Sequence, residues 1–291
     1  MKIVHKSWTG LGLGAALAGT ALLGACGGTD TADTGEDAGV TQSQTAADSA
    51  GESPAPAVTA VGEGEGEGGE GEGTGGEGGV NVAAAATDPV VFRSALAITA
   101  AHVIAARDAY AIGETRAAAE MFAHPVSEVL YDMQAVFAAR GVESFDQLLI
   151  DASTAAIDRA DASDIRRQAD AILARLDAAA AFAPDSEMSA AGIAAGVTAD
   201  QISRAVDLYR GALADEAYEP YLDGYGYYMT AKRAFASEEE AIRAEQPELA
   251  AAIEAVLEML ATAYPTVERP ETLRGDAGAL AVAVAEILLE L

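Results

Sequence analysis

The chain has 291 residues, with 46 acidic side chains against 17 basic ones and a formal charge of -29. That balance excludes a nucleic-acid partner, because phosphates need a concentrated face of Lys and Arg. One cysteine excludes an intramolecular disulfide and any zinc site built on thiolates.

Residues 1–25 read as an export signal. Lys2 and Lys6 give a positive start, and Leu11 to Ala25 follow as an apolar stretch broken by glycines. The stretch is short of the roughly 20 residues a spanning helix needs, which points to a secretory signal instead. It ends in Leu22-Leu23-Gly24-Ala25-Cys26, and here the sequence resembles the bacterial lipoproteins. The resemblance implies cleavage before Cys26, acylation of that residue and anchoring to a membrane through the attached lipid. Gly27 follows Cys26, where many inner-membrane lipoproteins carry an aspartate. The resemblance therefore implies placement at the outer membrane, facing the periplasm or the surface.

Residues 26–88 have a different composition. From position 27 onward they hold 13 acidic side chains and 16 glycines, with no Lys, Arg or aromatic residue. Such a segment cannot bury enough apolar surface to offset its chain entropy, and it is expected to be a disordered acidic linker. Calcium needs several oxygens converging on one ion, which the Gly-Glu repeat of a free coil does not preorganise.

Residues 89–291 read as a folded all-α domain, a multi-helix bundle. Ala, Leu, Glu and Arg dominate, helical spacing recurs, and no run alternates with the period of a strand. Asp88-Pro89 reads as a cap and first turn, opening a helix to about Tyr110. A short helix is expected near 114–123, and another from His124-Pro125 to Arg140, stopped by Gly141. Ser144 with Gln147 and Thr198 with Gln201 match capping boxes. A helix at about 164–182 precedes a Pro/Gly-rich loop at 183–197. Further helices are expected at 199–216, 218–236, 238–262 and 276–290. The last is apolar on nearly every face, which predicts a central, enclosed helix with Leu280 and Leu288 buried.

No Gly-x-Ser-x-Gly elbow, P-loop or dinucleotide fingerprint is present, and after position 26 there are only two histidines and one lysine. The expectation is a non-enzymatic module. Two clusters carry what chemistry there is. The first is His124-Pro125-Val126-Ser127-Glu128 with His102 one helix earlier. An imidazole at a helix start and a carboxylate one turn in could share an ion with Glu114 or Glu120; alternatively, His124 caps its helix and pairs with Glu128. The second is the run from Tyr218 to Tyr228, where Tyr218, Tyr221, Tyr225 and Tyr228 share one helical face. Four such rings suit a half-wet groove for a ligand or partner, or equally ordinary core packing. Gly224 and Gly226 would let a backbone or a ligand approach closely.

A lipid-anchored, acidic, helical domain with His, Glu and Tyr scattered on Ala-rich helices resembles the imelysin-like iron-uptake lipoproteins over residues 89–291. The family's Gly-x-His-x-x-Glu motif has no exact counterpart: His102 is followed by Val103-Ile104-Ala105, and His124 reaches Glu128 at a spacing of four. Two functions follow. One is an envelope lipoprotein presenting a helical binding or interaction domain to another envelope protein. The other, which the resemblance implies, is a metal-binding component of iron or copper acquisition, with a transition metal ion as ligand.

Overall fold

A computed structural model of the chain describes residues 79–291. The expected export signal, Cys26 and most of the expected acidic linker lie outside the described residues. Within them there are helices and connecting turns and no strand. The all-α bundle is therefore the fold.

The packed unit begins earlier than composition indicated. Asn81 caps a single turn, α1 (Val82–Ala85), by accepting from the Ala84 N–H. Val80 and Ala85 are buried, so residues 79–88 belong to the domain rather than to the linker. Asp88 then caps α2 (Pro89–Ala111), its carboxylate accepting from the Val90 and Val91 N–H groups. This is the start expected from Asp88-Pro89, since proline at the first turn forfeits no hydrogen bond. Helix α2 is long and apolar enough to cross a membrane, but 83% of that stretch is buried inside the domain. It is the core helix, and Ala95, Ile98, Ala101, Val103 and Ala105 have no more than 1% exposure.

The next segment departs from expectation. Pro125 does not open a helix; it ends α3 (Thr115–Pro125), and the chain continues through a π-helical turn, Val126–Leu130, into α4 (Tyr131–Arg140). The Tyr131 N–H donates to the carbonyl of Val126, five residues back. Proline inside a helix removes one i→i−4 donor, and the widened turn keeps the chain helical past it. Gly141 ends α4 at φ 81°, the left-handed cap expected there.

α5 (Asp146–Ile157) and α6 (Ala162–Ala179) follow, the latter running into a 3₁₀ turn, Ala180–Phe182. Neither expected capping box forms. Ser144 is not the cap of α5, and Gln147 donates instead to Asp151. Thr198 lies inside α7 (Ala190–Ala214), where its hydroxyl donates to the Ala194 carbonyl. The true cap is Ser189, so half of the expected 183–197 loop is helix. Helix α8 (Tyr218–Glu245) kinks at Glu238, and α9 (Pro247–Ala263) opens on Pro247.

Helices α7 and α8 form the most extensive pair, and α2 packs against both as well as against α3 and α6. The closing helix, α10 (Ala277–Glu290), is not central. It lies on α9 and α7 at the edge, burying Leu280 and Ile287 but leaving Leu288 55% and Leu289 85% exposed. Apolar composition on all faces suggested enclosure, yet nothing in the bundle covers the outer side.

Candidate metal centre

The four tyrosines of α8 are enclosed. Tyr221, Tyr225 and Tyr228 are buried and Tyr218 partly so. The hydroxyls of Tyr218 and Tyr221 donate to the carbonyls of Val267 and Thr266, and that of Tyr225 to Asp108. Tyr264 packs against Tyr209, Tyr221 and Tyr228. The face is core packing with satisfied hydroxyls, not an open groove. Burial pushes the Tyr218, Tyr221 and Tyr225 phenols above their ordinary value, Tyr221 up to about 12.

The glycines in that run serve helix packing. A side chain on Gly224 would collide with the Tyr264 hydroxyl, and one on Gly226 would stand 2.4 Å from the Ala101 carbonyl oxygen. Helix α8 therefore lies directly on the backbone of α2, one residue from His102. Asp223 comes with it.

The result is a cluster assembled from three helices and the π turn. The 4% exposed His102 ring places Nε2 at 3.7 Å from Glu128 Oε2 and 3.6 Å from Asp223 Oδ1. His124, at the end of α3, stands with Nδ1 3.8 Å from Glu128 Oε1 and Nε2 3.7 Å from Glu219 Oε1. His102, His124 and Asp223 each offer a ligand atom within 4.8 Å of the others. The His102 and His124 rings meet edge to face at 5.9 Å, and Tyr227 covers His102 from another side at 5.8 Å.

The tautomer of His102 is fixed. Its Nδ1 lies 2.9 Å from the Ile98 carbonyl oxygen, which can only accept, so Nδ1 carries the proton. In the neutral ring Nε2 then holds a lone pair facing the cluster, the arrangement usual for metal-ligating histidines. Burial lowers the His102 pKa, opposed by the Ile98 hydrogen bond and the Glu128 charge, and this favours the neutral form. Burial also pushes the Asp223 carboxyl up to about 7, and Asp223 Oδ1 is buried without a hydrogen-bond partner.

Separations of 3.6–3.8 Å are too long for hydrogen bonds. Ligands about 2.1 Å from one ion stand roughly 3.0–3.4 Å apart, whereas the ligand atoms of His102, His124 and Asp223 lie within 4.8 Å of one another, so the site would have to close around an ion. Imidazole nitrogens and carboxylate oxygens converge here at non-bonding distance from one another, a donor set that could hold a cation.

Of the expected ligands, the structure brings together His102, His124 and Glu128. Glu114 and Glu120 do not join them: Glu114 precedes the first turn of α3, and Glu120 pairs with Arg116. His124 does not cap a helix start. It occupies the last turn of α3, and the π turn sets Glu128 beside it. Sequence reading missed Asp223 and Glu219. Their signal was the spacing of Glu219, Asp223 and Tyr227, four apart on one helical face, hidden among the more conspicuous tyrosines.

Comparison of the chain with protein families, characterised proteins and solved structures finds no match to any of them.

Proposed function

We propose that the chain is a lipid-anchored cell-envelope protein whose helical domain binds a first-row transition metal ion, without catalysing a reaction. The ligands are His102, His124, Glu128 and Asp223, with Glu219 at the outer edge. One observation carries the reading: the unprotonated Nε2 of a buried histidine faces two carboxylate oxygens at non-bonding distance, one of them buried and unpartnered. Two imidazoles with two or three carboxylates suit iron, copper, zinc or manganese rather than calcium or magnesium, which take oxygen ligands. Envelope placement rests on the Leu23-Gly24-Ala25-Cys26 motif. Together these favour holding or delivering a metal ion at the membrane, as in iron or copper acquisition.

Calorimetric titration of the protein with Zn2+, Cu2+, Mn2+ and anaerobic Fe2+ tests this. At least one ion should bind one to one with a Kd of about 1 μM or tighter, and His102→Ala and Asp223→Asn should each weaken it at least about tenfold. Glu114→Gln should leave the affinity unchanged. If no ion binds below about 100 μM, or if His102→Ala and Asp223→Asn bind as wild type does, the reading fails.

A further inference from the structure

A second feature lies along the other half of α2, away from the histidines. Helices α2, α6, α7 and α8 enclose a cleft of about 370 Å³. Its walls are mostly apolar, with Leu96, Ala100, Leu176 and Val197 among them, and its polar groups are Arg93, Asp177, Thr230, Arg233 and Ser237.

Two of those groups are left without a partner. The Arg93 Nε is buried and has no hydrogen-bond partner, and among the described residues no carboxylate forms an ion pair with this guanidinium. Thr230 is 3% exposed, and its hydroxyl is buried without a partner. The other buried helical threonines behave differently: Thr99 and Thr198 donate to the carbonyls of Ala95 and Ala194, four residues back. Buried hydroxyls and guanidinium nitrogens left unpaired are costly, and both residues line this one cleft, which makes an acceptor lodged there the candidate partner. Arg233 lines the same cleft, paired with Asp177.

We propose that this cleft binds an organic monocarboxylate with an apolar tail. Its carboxylate accepts from Arg93, from the Thr230 hydroxyl and from the outer side of Arg233, while the tail lies on the aliphatic walls. The charge balance selects a monoanion: two guanidinium groups against the single carboxylate of Asp177 leave one positive charge. The walls select a hydrocarbon tail over a hydrated dianion such as phosphate, which would lose its water against apolar surface without enough donors to replace it. A planar carboxylate also matches the forked donors of arginine. The inference is independent of the metal centre, whose ligands line no part of the cleft.

The test uses the full chain carrying Cys26→Ser, so that no acyl group of its own can enter the cleft, titrated calorimetrically with sodium octanoate. Octanoate should bind saturably, one to one, with a Kd below about 1 mM, and should raise the melting temperature. Arg93→Gln should weaken binding about tenfold or more and Thr230→Val severalfold, with helical content and metal affinity unchanged in both. Octanol, which lacks the charge, should fail to displace octanoate. The proposal is overturned if octanoate shows no saturation up to about 10 mM, or binds both variants as tightly as wild type. It is equally overturned if octanol competes as well as octanoate, or if sulfate displaces octanoate at equal concentration, which would make the cleft a site for an adventitious ion only.

Discussion

Asp223 illustrates how one side chain can oppose stability and serve binding. It precedes Gly224 on the helix face that meets α2, and its Oδ1 faces the lone pair of His102 at 3.6 Å without a hydrogen-bond partner, so that above about pH 7 the ionised carboxylate meets that lone pair unpaired. An acceptor facing an acceptor in a buried site is unfavourable until a cation joins them. An amide at this position could donate through its NH2 group to His102 or Glu128 while carrying no charge. Asp223→Asn should therefore raise the stability of the metal-free protein by about 1–2 kcal/mol, read from urea unfolding at pH 8 in chelator. The same variant should gain nothing from added metal, whereas wild type should rise. A variant less stable than wild type without metal would show that Asp223 is held by a bond that its neighbours do not supply here. Gly226 acts on the same site from one turn away: only a residue without a side chain lets α8 rest on the Ala101 carbonyl and deliver Asp223 to His102.

Two helices differ in how their composition relates to their position. Helix α10 carries leucines on all sides, but only Leu280 and Ile287 point into the bundle. Leu280→Ala should cost about 2–5 kcal/mol through lost burial and a cavity. Leu288→Ala, at a position 55% exposed, should stay within about 0.5 kcal/mol. Equal costs at both positions, measured by denaturant unfolding, would mean that the helix is covered in solution. Helix α8 behaves in the opposite way, with its tyrosines drawn inward and their ionisation disfavoured. Burial raises the phenol pKa of Tyr218, Tyr221, Tyr225 and Tyr227 on α8, and of Tyr209 and Tyr264 packed beside them. A folded-state pKa above the unfolded value of 10.0 means the stabilisation is complete below that pH and is lost as pH climbs through the folded value, about 12 for Tyr221. Alkaline titration should show phenolate absorbance and loss of helix rising together above about pH 11. Phenols that ionise near pH 10 in a still-folded protein would contradict their enclosure.

For the molecule as a whole, the acidic domain follows in sequence the Leu23-Gly24-Ala25-Cys26 stretch on which the proposed lipid anchor rests. The proposed anchor predicts that Cys26→Ser moves the protein from the membrane to the soluble fraction, with loss of labelled fatty-acid incorporation. Continued sedimentation with membranes, together with no label on the wild type, would remove the envelope placement from the functional reading. Domain charge also matters for the metal centre. With 34 acidic and 15 basic side chains, the domain attracts cations from a distance, and low salt should speed metal association more than it slows release.

The sequence by itself determined the helical class, because alanine-rich stretches with helical spacing and no strand period leave the backbone little alternative. It also determined local stops and starts where one residue suffices: Asp88-Pro89 at the head of α2 and Gly141 at the end of α4. His102, His124 and Glu128 were legible as candidates because histidine is scarce after Cys26 and the last two are a turn apart. Tertiary structure decided the rest. The capping box at Thr198 yielded to an earlier local cap at Ser189, α5 begins after Phe145 without the Ser144 cap, and α10 was placed at the edge because only one of its sides found a partner. Asp223 became part of the centre only through the contact of Gly226 with Ala101, residues 125 positions apart whose meeting no local pattern encodes. Local propensities reach over a turn or two of chain, whereas a site built from α2, α3 and α8 depends on which helices pack together and at what separation.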